Sequence, residues 1–278
     1  MLTATDLWFE YDPGKPVVRG VSLDIPRAGI VGILGPNGSG KTTLLRLLAG
    51  TRQPQRGGVT LDGVPLSGFS RASLARRMAV VPRETHLAFD YTVAEVAMMG
   101  RYAHLGSFEI EGPSDVAIVD RALDSTGTFE FRDRLFATLS GGEKQRVIIG
   151  AALAQIAPGT GDVKERLRPE DSGYLLLDEP TASLDLAYQL EVVDLLRRLH
   201  DERGVSIVIS THDLSLAATL CERVVMVRNG QVVAAGSADE TLTPDHVRDV
   251  YGVDVDVLRD ASGRRVLVPT GRSAKNRT

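Results

Sequence analysis

"AGIVGILGPNGSGKTTLLRLLAG", residues 28–50, decides how this chain is read. It opens on an apolar, β-branched run suited to a buried strand. It closes on "KTTLLRLLAG", which has helical character and a stop at Gly50. Between them, "GPNGSGKT" at 35–42 satisfies G-x-x-x-x-G-K-[ST] in the strand-to-helix setting that marks a phosphate-binding loop. The chemistry asks for these residue types. Gly35, Gly38 and Gly40 let the backbone wrap phosphates where a Cβ would intrude, with Pro36, Asn37, Ser39 and Thr43 as further contact positions. Lys41 reaches the β- and γ-phosphates, and Thr42 offers an oxygen to Mg²⁺.

Upstream, "LWFEYD" and "VSLDI" read as short strands; downstream, "GGVTLDG" and "MAVVP" do the same. From Thr92 to Ser140 the character changes. "TVAEVAMMG" carries a capping box at Thr92 and Glu95, and "PSDVAIVDRALDSTG" sets Val116, Val119, Ala122 and Leu123 at helical spacing. With no strand signal there, the segment reads as helical. "TLSGGEKQRVIIGAALAQ", 138–155, is a helix with its own capping box, Ser140 with Glu143, and two glycines between them. Such a helix start favours anions, so the chain holds a second candidate cradle.

Residues 158–173 are rich in Pro, Gly and charge and read as a surface loop. "YLLLD" is a short buried strand that delivers Asp178 and Glu179 to the C-terminal edge of a parallel sheet. There Asp178 suits Mg²⁺, and Glu179, with no evident structural partner, suits polarising a water for attack. "DLAYQLEVVDLLRRLHDERG" is a long amphipathic helix, and "VSIVIS" a further apolar strand that brings His212 to the same edge. Strands alternating with helices imply a parallel sheet. The C-terminal part reads as a hairpin turning at Asn229-Gly230, a helix in "TPDHVRDVYG", and a last hairpin around Ser262-Gly263.

Composition narrows the function classes. A formal net charge of −4 gives no electrostatic case for a nucleic-acid partner. A single cysteine, Cys221, excludes an internal disulfide and fits a reducing compartment. There is no signal-peptide pattern at the start, and no apolar run approaches the length of a membrane span. A membrane role therefore requires a partner.

With these motifs in hand, the chain resembles an ATP-binding cassette, the ATPase subunit of ABC transporters, from Leu2 to about Gly236. The resemblance rests on the loop at 35–42, "LSGGE" at 139–143, "LLLDEP" at 175–180, "SLD" at 183–185 and His212, in the family's order. It implies an α/β fold: a P-loop NTPase core with a mainly parallel sheet, an antiparallel N-terminal portion and an inserted helical subdomain. The corresponding expectation is one domain over 1–271, with core at 1–91 and 141–236, helical subdomain at 92–140 and a C-terminal extension at 237–271. Residues 272–278 are expected to be a disordered tail.

The resemblance also implies a mechanism. ATP and Mg²⁺ are used; Tyr11 stacks on adenine; Lys41, Glu179 and His212 serve catalysis; Thr42 and Asp178 hold Mg²⁺. Two copies pack head to tail, and Ser140 and Gly142 of the LSGGE motif of one face the nucleotide held by the other, with Gly141 and Asp185 as further nucleotide-binding positions. This resolves the two cradles: they act across a homodimer. "FDYTVAEVAMMGRYAHLG", "HDLSLAATLCERV" and "LTPDHVRDVYGVDV" resemble importers of metal chelates (haem, ferric siderophores, cobalamin), and the long 158–173 loop leans toward haem. The implied partners are a permease dimer docking near "RYAHLG" and, indirectly, an extracytoplasmic substrate-binding protein. The implied location is peripheral, on the cytoplasmic face of the inner membrane. An importer of another cargo is the alternative. A non-transport ATPase of this type is disfavoured, because sustained heptads and a basic stripe are missing.

One position departs from the family. After "AVVP", where the family usually has glutamine, stands Arg83, followed by Glu84. Arginine cannot ligate Mg²⁺, which leaves a phosphate contact, a pair with Glu84, or solvent. Altered basal hydrolysis with coupling kept is the expectation.

Overall fold

The structure, a computed structural model, describes residues 1–158, 173–259 and 265–273. The chain forms two compact units, Met1–Leu66 with Val208–Thr278, and Ser67–Ile207.

The first unit begins with β1 (Leu2–Glu10) and β2 (Pro16–Ile25), paired antiparallel with Leu2 opposite Ile25. Alternation buries Leu2 and Ala4 of β1; a register shift past Thr5, with Asp6 at φ 47°, changes the phase, and Leu7 and Phe9 are buried beyond it. Next come β3 (Ile30–Leu34), α1 (Lys41–Leu48), β4 (Arg56–Leu61) and the short β5 (Val64–Pro65). All five residues of β3 are buried, as expected for a strand covered on both faces. α1 stops as anticipated: Gly50 is left-handed, its N–H donates to the Leu47 carbonyl at 3.0 Å, and that of Thr51 to Arg46 at 3.0 Å.

The second unit runs α2 (Arg71–Ala75), β6 (Met78–Val81), α3 (Val93–Met98), α4 (Pro113–Ser125), α5 (Gly141–Ile156), β7 (Tyr174–Asp178) and α6 (Leu186–Arg203). β6 and β7 are parallel, with Met78 opposite Tyr174 and Val81 opposite Leu177. The helical stretch expected at 92–140 lies in this unit, together with both strands. Its Thr92–Glu95 capping box forms. The stretch also contains one isolated antiparallel bridge, Thr92 with Leu135, where the Val93 N–H donates to the Arg134 carbonyl at 3.0 Å and ties down the start of α3. α4 buries Ile118, Val119, Ala122 and Leu123. Val116, expected on that face, is exposed, because its place one turn above Val119 is taken by Asp115.

Asp115 is needed inside because Arg101, in the 3-10 segment Met99–His104, is 1% exposed. Its Nε donates to Asp115 at 2.9 Å, and its Nη1 to the Ala154 and Ala157 carbonyls at 2.7 and 3.1 Å. A cation thereby closes the last turn of α5.

β8 (Ser206–Thr211), wholly buried, crosses the division between the units. The first unit then resumes with α7 (Leu214–Leu220), β9 (Arg223–Arg228), β10 (Gln231–Ser237), α8 (Ala238–Thr241), α9 (Pro244–Tyr251), β11 (Val253–Arg259) and β12 (Arg265–Arg272). β9 lies parallel to β3 and antiparallel to β10, turning at Asn229-Gly230, both at positive φ. β11 and β12 form the last hairpin, whose turn at 260–264 is outside the described residues. Arg272, expected in a disordered tail, ends β12, and the Ser273 N–H donates to the Gly252 carbonyl at 3.0 Å; 274–278 lie outside the described residues, as does the loop read at 158–173 from 159 to 172. Among the described residues, no helix is long and apolar enough to cross a membrane. Cys221 is buried, which pushes its thiol up to about 12 and leaves it chemically quiet.

Candidate active site

In the first unit, β3 delivers the chain into the loop at 35–42 and α1 receives it. The glycines are dictated by space. A Cβ on Gly35 would lie 2.2 Å from the Val227 carbonyl oxygen, and one on Gly40, at φ 102°, would lie 2.7 Å from that of Val17. α1 starts with no side-chain cap and no acidic residue in its first turn, so nothing opposes an anion at its positive end. Lys41, only 4% exposed, donates from Nζ to the Gly35 and Pro36 carbonyls at 2.8 and 3.2 Å. The ammonium is thus folded into the loop it would share with phosphate. Ser39 Oγ is buried without a hydrogen-bond partner among the described residues. An orphaned hydroxyl in a cradle that a Cβ would fill fits an oxyanion ligand.

Tyr11 stands just past β1, with its hydroxyl 3.3 Å from Thr43 Oγ1 and its ring edge-on to Phe9. The Thr43 hydrogen bond, opposed by burial and helped by Arg46, holds its phenol below the usual 10.0. Tyr11 is half-exposed beside α1. His212 follows β8 and is exposed, and the next residue, Asp213, caps α7.

In the second unit, β7 ends on Asp178, and Glu179 then takes a left-handed backbone at φ 46°. For a non-glycine residue this conformation costs about 1–2 kcal/mol, and such strain collects at functional positions. The reading that Glu179 lacks a partner is corrected: its Oε2 lies 3.3 Å from Arg83 Nη1, an ion-pair distance without hydrogen-bond geometry. Arg83 therefore pairs with Glu179, not with Glu84, whose carboxylate faces His86 at 3.4 Å.

Ser140 caps α5 as expected. Its Oγ accepts from the Glu143 N–H at 3.3 Å, and Glu143 accepts from the Ser140 N–H at 2.7 Å. The hydrogen bond from the Ser140 backbone N–H, opposed by burial and helped by one from the Ser140 side chain, holds the Glu143 carboxyl below its ordinary range. Gly142 has a role that spacing did not reveal: its Cβ would lie 2.4 Å from Tyr188 Cδ1 on α6. Asp185 caps α6, accepting from the Tyr188 N–H at 3.2 Å. In "RYAHLG", expected as a docking segment, Arg101 is committed internally, and His104 Nε2 donates to the Gln155 carbonyl at 2.8 Å. Tyr102 and Gly106 are its exposed members.

Residues 18–158, just over half of the chain, match the family described as ABC transporter. This chain belongs to that family. Among relatives, it is 39% identical to a cobalamin import ATP-binding protein of Halobacterium salinarum over 92% of this chain and 60% of that protein. It spans less than two thirds of that relative's length. It is also 39% identical to a hemin import ATP-binding protein of Pseudomonas putida, over 86% of this chain and 88% of the relative. Among solved structures, it matches an inward-facing metal-chelate type ABC transporter with a TM-score of 0.80 and 25% identity, over 97% and 96% of the two chains. A bacterial ABC transporter cassette solved as a dimer gives 0.69 and 25%, over 86% and 99%.

The mixed parallel and antiparallel α/β fold is that of ABC ATPases. Among the described residues of this family member, no cluster of three His, Cys, Asp or Glu forms a ready metal cage. Thr42 in the first unit carries a hydroxyl and Asp178 in the second a carboxylate, oxygen donors of the kind Mg²⁺ takes alongside phosphates and water.

Proposed function

We propose that this chain is the ATP-hydrolysing subunit of an importer for an iron- or cobalt-containing chelate, working as a homodimer with a permease dimer on the cytoplasmic face of the membrane. The observation that carries the reading is the Lys41 cradle: a buried ammonium inside a glycine loop at an uncapped helix start. Lys41 and the loop amides bind the β- and γ-phosphates, and Tyr11 stacks on the base. Glu179 takes the proton from the attacking water, and His212 contacts the γ-phosphate. Thr42 and Asp178 would hold Mg²⁺, which neutralises phosphate charge when bound. Ser140, Gly141, Gly142 and Asp185 contact the nucleotide of the second copy, so that ATP favours the closed dimer and hydrolysis releases it. Tyr102 remains available to the permease. The cargo class is supported by the names of the hemin and cobalamin relatives.

Lys41→Ala tests the cradle: binding of a fluorescent ATP analogue should fall at least about tenfold, the scale of a charge-assisted contact. Glu179→Gln should bind ATP, stop turnover and accumulate dimer with the permease present. A monomeric, fully active Glu179→Gln protein would reject the reading.

A further inference from the structure

β6 and β7 are in register at Val81 and Leu177, and carrying that register two residues further sets Arg83 opposite Glu179. The two side chains meet just beyond the paired strand ends, Nη1 to Oε2 at 3.3 Å. The two partners are unequal. Glu179 is 7% exposed and its Oε2 is shielded from solvent. The Arg83 side chain is 50% exposed and opens an irregular, mostly exposed stretch that runs to Tyr91 before α3. The carboxylate is held by a strained strand end; the guanidinium sits on backbone that can shift at low cost.

We propose that Arg83 is a positioning residue that restrains turnover by covering the Glu179 oxygen an attacking water must reach. A base works only within hydrogen-bond reach of the proton it takes, and a guanidinium over Oε2 competes for that place. When residues 82–91 carry Arg83 aside, water reaches Glu179. Its oxygen then bonds to the γ-phosphorus, its proton passes to the carboxylate, and the bond to the bridging oxygen breaks, leaving ADP with the electron pair. The irregular stretch thereby gates hydrolysis through a charge that glutamine would not supply. This rests on Glu179 being the base.

Phosphate release at saturating ATP by the full chain, with and without permease, tests it. A half-exposed ion pair limits the restraint, so Arg83→Ala should raise basal kcat by up to about fivefold with KM for ATP unchanged. Arg83→Lys, which keeps a cation, should stay near the parent. Added salt should raise kcat of the parent and leave Arg83→Ala flat. An unchanged or lowered kcat in Arg83→Ala overturns the restraint, as does a raised KM or an equal rise in Arg83→Lys. Glu179→Gln separates the layers. If it keeps parental turnover, the base assignment itself fails; if it is inactive while Arg83→Ala is unchanged, only the restraint fails.

Discussion

Replacing Arg101 with methionine keeps a long side chain in place and removes the charge. Three acceptors lose their donor at once: the Asp115 carboxylate and the Ala154 and Ala157 carbonyls that end α5. Asp115 is itself 8% exposed. Burial pushes its carboxyl up, but the hydrogen bonds from Arg101 and the Gly112 N–H outweigh this and hold it below its ordinary range. Removing one member of a buried pair costs about 3–5 kcal/mol, so Arg101→Met should lower the melting temperature by roughly 10 °C. Arg101→Met with Asp115→Leu should recover part of the loss, because no carboxylate is then stranded, while the two carbonyls stay unanswered. Urea unfolding followed by circular dichroism and fluorescence measures both variants. Tyr102→Ala, on the exposed neighbour, is the control and should change stability by less than about 0.5 kcal/mol. A loss under about 1 kcal/mol for Arg101→Met, the worth of an exposed pair, would refute the buried role. A loss of permease assembly at unchanged stability would return Arg101 to the docking surface.

Gly142→Ala drives a methyl into Tyr188 and should cost about 1–3 kcal/mol, relieved when Tyr188→Ala is added; thermal unfolding of the two variants decides it. Gly35→Ala meets the Val227 carbonyl, which has no flexible end to yield, so it should abolish nucleotide binding by equilibrium dialysis; retained affinity would mean the loop rearranges. Burial holds His104 below the ordinary 6.5 despite the Gln155 carbonyl. A depressed folded value means its stabilisation is complete above about pH 6.5 and is lost as pH falls through the folded value. Parental protein should therefore lose stability on acidification through this range more steeply than His104→Gln, and parallel curves in denaturant titrations at stepped pH would exclude the effect.

Much of the architecture was legible because its determinants are local. A buried strand running into a glycine loop and a helix declares the phosphate cradle within one short window. Capping at Thr92 and Ser140, the Asn229-Gly230 turn and the Gly50 stop are likewise settled by residues within a turn of each other. Val116 was misplaced because helical spacing cannot tell an apolar residue at the edge of a buried face from one at its centre. The internal role of Arg101, inside the segment read as near the permease, is not legible because sequence alone offers no sign of a carboxylate fourteen residues on and two helix-end carbonyls waiting for it.

By itself, then, the sequence determined the principal strands and helices, though not the short α2, α7 and α8, and it determined where the phosphate loop lies and which side chains stand at strand ends, since backbone sterics and spacing act over a few residues. Only the tertiary structure decided that Arg83 faces Glu179, that Gly142 yields to Tyr188 and that Arg101 is sealed inside. Each of these depends on strand register or helix packing between segments distant in the chain, and a one-residue slip in register would have set a different side chain opposite the acid.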